Sequence, residues 1–123
     1  MPQMALTILY VEDDRLISAA VAELLTCEGW RVETCADGLA ALALLEGDAR
    51  YDLIMLDNEL PHVNGVELAR RARATAHRAQ APIIMLSASE VDAEARAAGV
   101  DLFLRKPQDM GLIASAVESL VGR

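Results

Sequence analysis

The sequence predicts one α/β domain built on a parallel sheet with helices on both faces. Two observations carry this reading. Five short apolar runs of strand-forming residues alternate with five helical stretches, and the connections between them are short throughout. Four of the five strands also end at a side chain capable of chemistry: Asp13, Asp57, Ser87 and Lys106.

Taken in order, Leu6 to Val11 is the first run, and it stops at Glu12-Asp13-Asp14. Asp14 fits the start of the following helix, since acids favour that end of the dipole. Leu16, Ile17, Ala20, Val21, Leu24 and Leu25 recur at helical spacing and predict one apolar face. Gly29 stands where helices commonly end in a left-handed residue. Trp30, Val32 and Thr34 alternate with Arg31, Glu33 and Cys35, the period of a half-exposed edge strand. Asp37 caps a second helix through Leu39, Leu42 and Leu45, closed by Gly47.

Tyr51 to Asp57 is the central run, apolar throughout its middle as a strand buried on both faces must be, and it turns at Pro61. Asn64, with Glu67 three residues later, is a capping pair that opens a third helix through Arg73 or beyond. Pro82 to Ser87 is another buried strand. Glu90 to Ala98 leaves room for only a short helix before Gly99. Asp101 to Leu104 is the last strand, and Ile113, Val117, Leu120 and Val121 mark a final amphipathic helix.

A chain of 123 residues is expected to form a single domain spanning residues 1–123. Its formal charge of −8 argues against a direct nucleic-acid footprint, which needs clustered Lys and Arg. The one basic run, Arg70-Arg71-Ala72-Arg73, reads as the solvated face of a helix. No apolar run approaches the roughly 18 residues of a membrane span. The amino terminus, Met1 to Ala5, lacks the pattern of a signal peptide. Cys27 and Cys35 read as reduced thiols of a cytoplasmic protein.

Parallel strands place all their carboxyl ends on one edge, where ligands collect in open α/β sheets. Glu12, Asp13 and Asp57 should therefore crowd together, and their repulsion raises at least one pKa unless a cation sits among them. Carboxylates with a carbonyl and waters suit a hard divalent ion, and so few protein ligands favour Mg²⁺ over Ca²⁺. Lys106 adds a second positive charge and Ser87 a hydroxyl donor. These are the parts that hold a phosphoryl group in transfer, with Asp57 available as the nucleophile. Phe103 is a core aromatic by default, and His62 and His77 read as solvated loop residues.

The chain resembles the receiver domain of two-component response regulators over essentially its full length. The motifs are Tyr10-Val11-Glu12-Asp13-Asp14, Leu56-Asp57 with Pro61 and Gly65, Leu86-Ser87-Ala88, and Arg105-Lys106-Pro107. The resemblance implies a flavodoxin-like three-layer sandwich with strand order 2-1-3-4-5 and five helices. It implies that Asp57 takes phosphate from a histidine kinase or histidine phosphotransfer protein, and that a downstream effector protein reads the result. Asp13 and Asp57 would ligate Mg²⁺, Glu12 would act mainly through water, and the Glu59 carbonyl would complete the protein share. Lys106 would bridge to the phosphoryl oxygens. Ser87 takes the switch-hydroxyl position and Phe103 the switch-aromatic position, and Lys106–Pro107 would be a cis peptide. A homodimer is left open, and the only chemistry implied is the domain's own phosphorylation and dephosphorylation.

Two departures stand out from that pattern. Asn58 and Glu59 follow the acceptor where apolar or small residues are usual, so Glu59 and Ser89 are expected to set the lifetime of the phosphorylated state. The segment between Ser87 and Lys106 is also short, so the fourth helix is expected to be truncated, displaced or mobile. The competing readings are an aspartate-nucleophile phosphatase and a non-phosphorylated binding module of the same fold, such as a flavin carrier. The first commonly carries a second aspartate two residues after the nucleophile, where this chain has Glu59. The second needs a phosphate-binding loop where this chain has Glu12-Asp13-Asp14.

Overall fold

Alternation along each strand sends neighbouring side chains to opposite faces, and that rule organises the computed structural model, which describes residues 5–122. The reading of Met1 to Ala5 as no signal peptide lies almost wholly outside that range. The strands are β1 (Thr7–Val11), β2 (Arg31–Cys35), β3 (Leu53–Asp57), β4 (Ile83–Ser87) and β5 (Leu102–Arg105). All pairs are parallel, in the order β2-β1-β3-β4-β5. The helices are α1 (Arg15–Cys27), α2 (Gly38–Glu46), α3 (Gly65–Ala74), α4 (Asp92–Ala97) and α5 (Ile113–Val121).

Leu9, Val11, Ile54, Leu56, Ile83 and Met85 face a core shared with α2, α3 and α4. Ile8, Tyr10, Leu53, Met55, Ile84 and Leu86 face the opposite core, shared with α1 and α5. The result is the expected three-layer sandwich. β3 and β4 are buried at every position, whereas β2 lies at the edge with Arg31, Glu33 and Thr34 exposed and Val32 and Cys35 half-buried, so the expected alternation breaks after Glu33.

The predicted caps form. Asp14 accepts the amides of Leu16 and Ile17, and Asp37 those of Leu39 and Ala40. Gly29 takes the left-handed conformation after α1 (φ 91), while Gly47 closes α2 with extended backbone. The Asn64–Glu67 pair forms in one direction only. Asn64 Oδ1 accepts the Glu67 amide at 2.9 Å, but the Glu67 carboxylate turns to Arg70 and Arg71.

Several expectations are corrected. The six apolar positions of α1 span about half its circumference at roughly 100° per residue, and the sheet covers only part of that arc. Val21 and Leu25 are buried and Ile17 half-buried, while Leu16 is 85% exposed and Ala20 and Leu24 also face outward. β5 begins and ends one residue late, with Asp101 at its entrance bonding Ile83 through both its amide and its carboxylate, which also accepts Arg73. α4 is shorter still than expected, has no side-chain cap, and buries only Ala95. Two 3₁₀ turns, Ala76–Arg78 and Met110–Leu112, were not foreseen.

The basic run is not uniformly solvated. Arg70 and Arg71 are exposed, but Arg73 is half-buried and donates to the carbonyls of Gly99, Ala81, Ala79 and Arg78. Arg78 is buried outright, bonded to the carbonyls of Leu44, Leu45 and Gly47 and stacked over Tyr51. Each guanidinium satisfies carbonyls that strands and helices leave open, which makes both arginines parts of the core's rim.

Candidate functional site

The carboxyl ends of β1, β3, β4 and β5 meet on one edge. The ladder aligns Asp57 with Leu86 and Ser87 with Arg105, and the Lys106 amide continues it by donating to the Ser87 carbonyl. Gly65 lets the loop after β3 close tightly. A Cβ there would stand 2.6 Å from the Asp57 carbonyl oxygen.

Glu12, Asp13 and Asp57 each offer a carboxylate oxygen within 4.8 Å of the others. Asp57 is 1% exposed, Glu12 is buried, and Asp13 is exposed. Lys106 Nζ lies 2.6 Å from Asp57 Oδ1 and 3.1 Å from Glu12 Oε1. The ammonium compensates the buried Asp57 Oδ1 directly. One ammonium does not neutralise three acids, and their three hard oxygen ligands within reach of one another fit a small divalent cation.

Burial pushes the Asp57 carboxyl up to about 6, opposed by Lys106 and reinforced by the charges of Glu12 and Glu59. The crowding expected of these acids is therefore present. Burial works against the Lys106 ammonium, but Asp57 and Glu12 outweigh it and hold its pKa above the ordinary lysine value.

Ser87 is fully buried, and its hydroxyl donates not toward Asp57 but to Glu59 Oε2 at 2.6 Å. Glu59 also accepts Asn58 Nδ2 at 3.2 Å and the Ala88 amide at 3.3 Å. Burial raises its proton affinity, yet these donors outweigh burial and keep the carboxyl below its usual range. Ser89 is exposed, and its amide donates to Ser87 Oγ at 3.0 Å. Phe103 is half-buried against the α2–α4 core, with the Arg105 guanidinium 5.8 Å above its ring. Lys106–Pro107 is cis.

Two participants were missed by sequence reasoning. Tyr10 is buried in β1 with its hydroxyl 3.5 Å from Glu12 Oε1, and burial followed by the charges of Glu12 and Asp57 keeps it protonated. Asn58 ties the loop together, accepting the Val66 amide while donating to Glu59. The spacing of two between Tyr10 and Glu12 was the available signal for the first. His62 is a loop residue as expected, but in a left-handed conformation and paired with Asp37 at 3.0 Å.

A depression of about 420 Å³ opens beside Glu12 and Asp13 and runs along α1 to Cys35. A larger one of about 570 Å³ lies at the opposite edge of the sheet, between Asp48 and Pro82. Its Arg78 and His77 are already bonded to main-chain carbonyls and its Arg50 to Asp52, and the Glu12–Asp13–Asp57 cluster is not there. Among the described residues, no helix is long and apolar enough to cross a membrane.

The family described as "Response regulator receiver domain" matches residues 8–118. The response regulator MprA of Mycobacterium ulcerans is 32% identical over 98% of this chain and 52% of its own length. The transcriptional regulatory protein CpxR of Klebsiella pneumoniae is 42% identical over 87% of this chain and 46% of its own. The chain thus spans about half the length of the curated relatives it matches. Among solved structures, the receiver domain of a Pseudomonas aeruginosa sensor histidine kinase, with magnesium coordinated in its active-site cleft, superposes with a TM-score of 0.86. It is 31% identical, over 98% of this chain and 100% of that one. The chemotaxis response regulator CheY4 of Vibrio cholerae gives a TM-score of 0.87 at 30% identity, over 94% and 98% of the two chains.

Proposed function

Since this chain belongs to the response regulator receiver-domain family, we propose that Asp57 is its phosphoacceptor. The donor is a phosphohistidine on a histidine kinase or histidine phosphotransfer protein. The observation that carries this reading is the Glu12–Asp13–Asp57 cluster with Lys106 on Asp57 Oδ1.

The phosphorus is attacked by an Asp57 carboxylate oxygen, the histidine N–P bond breaks, and the imidazole nitrogen keeps the electron pair. Asp57 must be ionised to attack, and a pKa near 6 leaves it mostly so at neutral pH. Mg²⁺ bound by Glu12, Asp13, Asp57 and the Glu59 carbonyl would neutralise charge on the phosphoryl oxygens. Lys106 is already placed to follow charge from the carboxylate to the new phosphate. Tyr10 and Lys106 together hold Glu12 in orientation. Ser87 supplies the hydroxyl and Phe103 the aromatic that change position after phosphorylation.

Catalysis is confined to the domain's own phosphorylation and dephosphorylation. The output is binding of a downstream effector protein through the α4–β5–α5 face, and the setting is the cytoplasm. That face is built on an unusually short α4, with Arg105 reaching Asp92 at 3.8 Å.

The test is incubation with a small phosphodonor and Mg²⁺. About one phosphate per chain is expected, stable in acid, labile in base, and absent from Asp57→Asn. Multiple turnover of organic phosphates would instead make the chain a phosphatase.

A further inference from the structure

The Ser87 hydroxyl has one proton, and that proton is committed. Ser87 Oγ donates it to Glu59 Oε2 across 2.6 Å, the length of a hydrogen bond to a charged acceptor. Glu59 is itself held in place by Asn58 Nδ2 and the Ala88 amide, and the Ser89 amide fixes Ser87 Oγ from the other side. The rotamer of Ser87 is therefore specified from several directions, and each of those contacts points its proton away from Asp57.

We infer that Glu59 is a positioning residue that latches Ser87 in the resting state, so that a phosphoryl group on Asp57 must take the hydroxyl from the Glu59 carboxylate. The inference rests on the phosphoacceptor reading of Asp57 and adds a competitor to it. A phosphoryl oxygen and Glu59 Oε2 are both anionic acceptors for one donor, so the two bonds exclude each other. On release, Glu59 keeps the Asn58 and Ala88 donors, and its exposed carboxylate stays solvated. The latch therefore sets the balance between two states without destroying either.

The competition is read by equilibrium binding of beryllium trifluoride, a phosphoryl mimic, in the presence of Mg²⁺. Four proteins are compared: the native chain, Glu59→Ala, Ser87→Ala and the double variant. The latch predicts tighter binding in Glu59→Ala by about tenfold, the scale of one hydrogen bond to a charged group, and no tightening when Ser87 is already alanine. Equal tightening in both backgrounds means that Glu59 acts through charge alone and overturns the latch, as does no tightening in either.

A second measurement does not depend on phosphoryl chemistry. In the unliganded protein, Glu59→Ala frees the Ser87 rotor, so the Ser89 amide, which donates to Ser87 Oγ, shifts in the NMR spectrum and exchanges faster. An unchanged Ser89 amide overturns the latch. If none of the four proteins binds the mimic, the phosphoacceptor reading fails instead, and the Ser89 amide alone decides the latch.

Discussion

Lys106 Nζ stands 2.6 Å from Asp57 Oδ1 and 3.1 Å from Glu12 Oε1, so a single ammonium serves two buried carboxylates. Asp57 and Lys106 come from the ends of different strands, and only the parallel register brings them together. Breaking a buried pair by removing one partner is costly because the other charge is left uncompensated. Lys106→Met should therefore lower stability at pH 7 by about 2–4 kcal/mol. Part of that loss should disappear in an Asp57→Asn background, the remainder staying with buried Glu12, as urea unfolding of both single variants and the double variant will show. A loss of equal size in both backgrounds would deny the coupling.

The acceptor should also leave a signature in the pH dependence of stability. Asp57 titrates near 6 in the folded chain against 3.8 in its ordinary state. Between those values the native state binds more protons than the unfolded one, so this group's contribution falls as pH rises and the full cost is present above about pH 6. In metal-free buffer Asp57→Asn should stabilise the protein at pH 7 by about 1–3 kcal/mol. Near pH 4 it should do little. Thermal unfolding across that range provides the check, and a variant destabilised at pH 7 would contradict the raised pKa.

Arg73 joins α3 to two chain turns that no sheet or helix bond connects. Its guanidinium donates to the Gly99 carbonyl through Nε at 3.0 Å and Nη2 at 2.8 Å, and to the Ala81 carbonyl at 2.7 Å. A Cβ on Gly99, whose φ is 96, would stand 2.7 Å from Arg73 Cγ, so the glycine admits the arginine's stem. Arg73→Ala strands these carbonyls and should cost about 2–4 kcal/mol. Arg73→Lys should not recover it, because an ammonium cannot span the same set of acceptors. Recovery by lysine would show that charge alone matters there.

Glu59 and Ser89 border the acceptor site from two loops, and both touch Ser87. On the proposed reading, Glu59→Ala opens the approach of water to a phosphoryl group on Asp57, and dephosphorylation should quicken several-fold. Ser89→Ala, at an exposed position whose bond to Ser87 is made by its main chain, should change the rate less. Phosphate release from the labelled protein measures both. Unchanged rates in both variants would remove these residues from the account of the lifetime.

Much of this molecule was legible in the chain because much of it is local. A strand buried on both faces shows itself as an apolar run, so β3 and β4 and their terminal Asp57 and Ser87 could be placed without coordinates. Asp14, Asp37 and Asn64 cap the helices that begin just after them, an interaction contained within a few residues. The meeting of Glu12, Asp13, Asp57 and Lys106 followed from one topological rule, that parallel strands share an edge.

What the tertiary structure alone decided is which side chain answers which across distance. The hydroxyl of Ser87 turns to Glu59 rather than Asp57, Arg73 and Arg78 leave the solvent for main-chain carbonyls, and the sheet covers only part of the apolar arc of α1. The physical reason is the same in each case. Periodicity and capping record what a segment needs from its own neighbours. A buried donor, by contrast, is satisfied by whatever acceptor the folded chain carries past it, and that acceptor's position is fixed only once every element has packed.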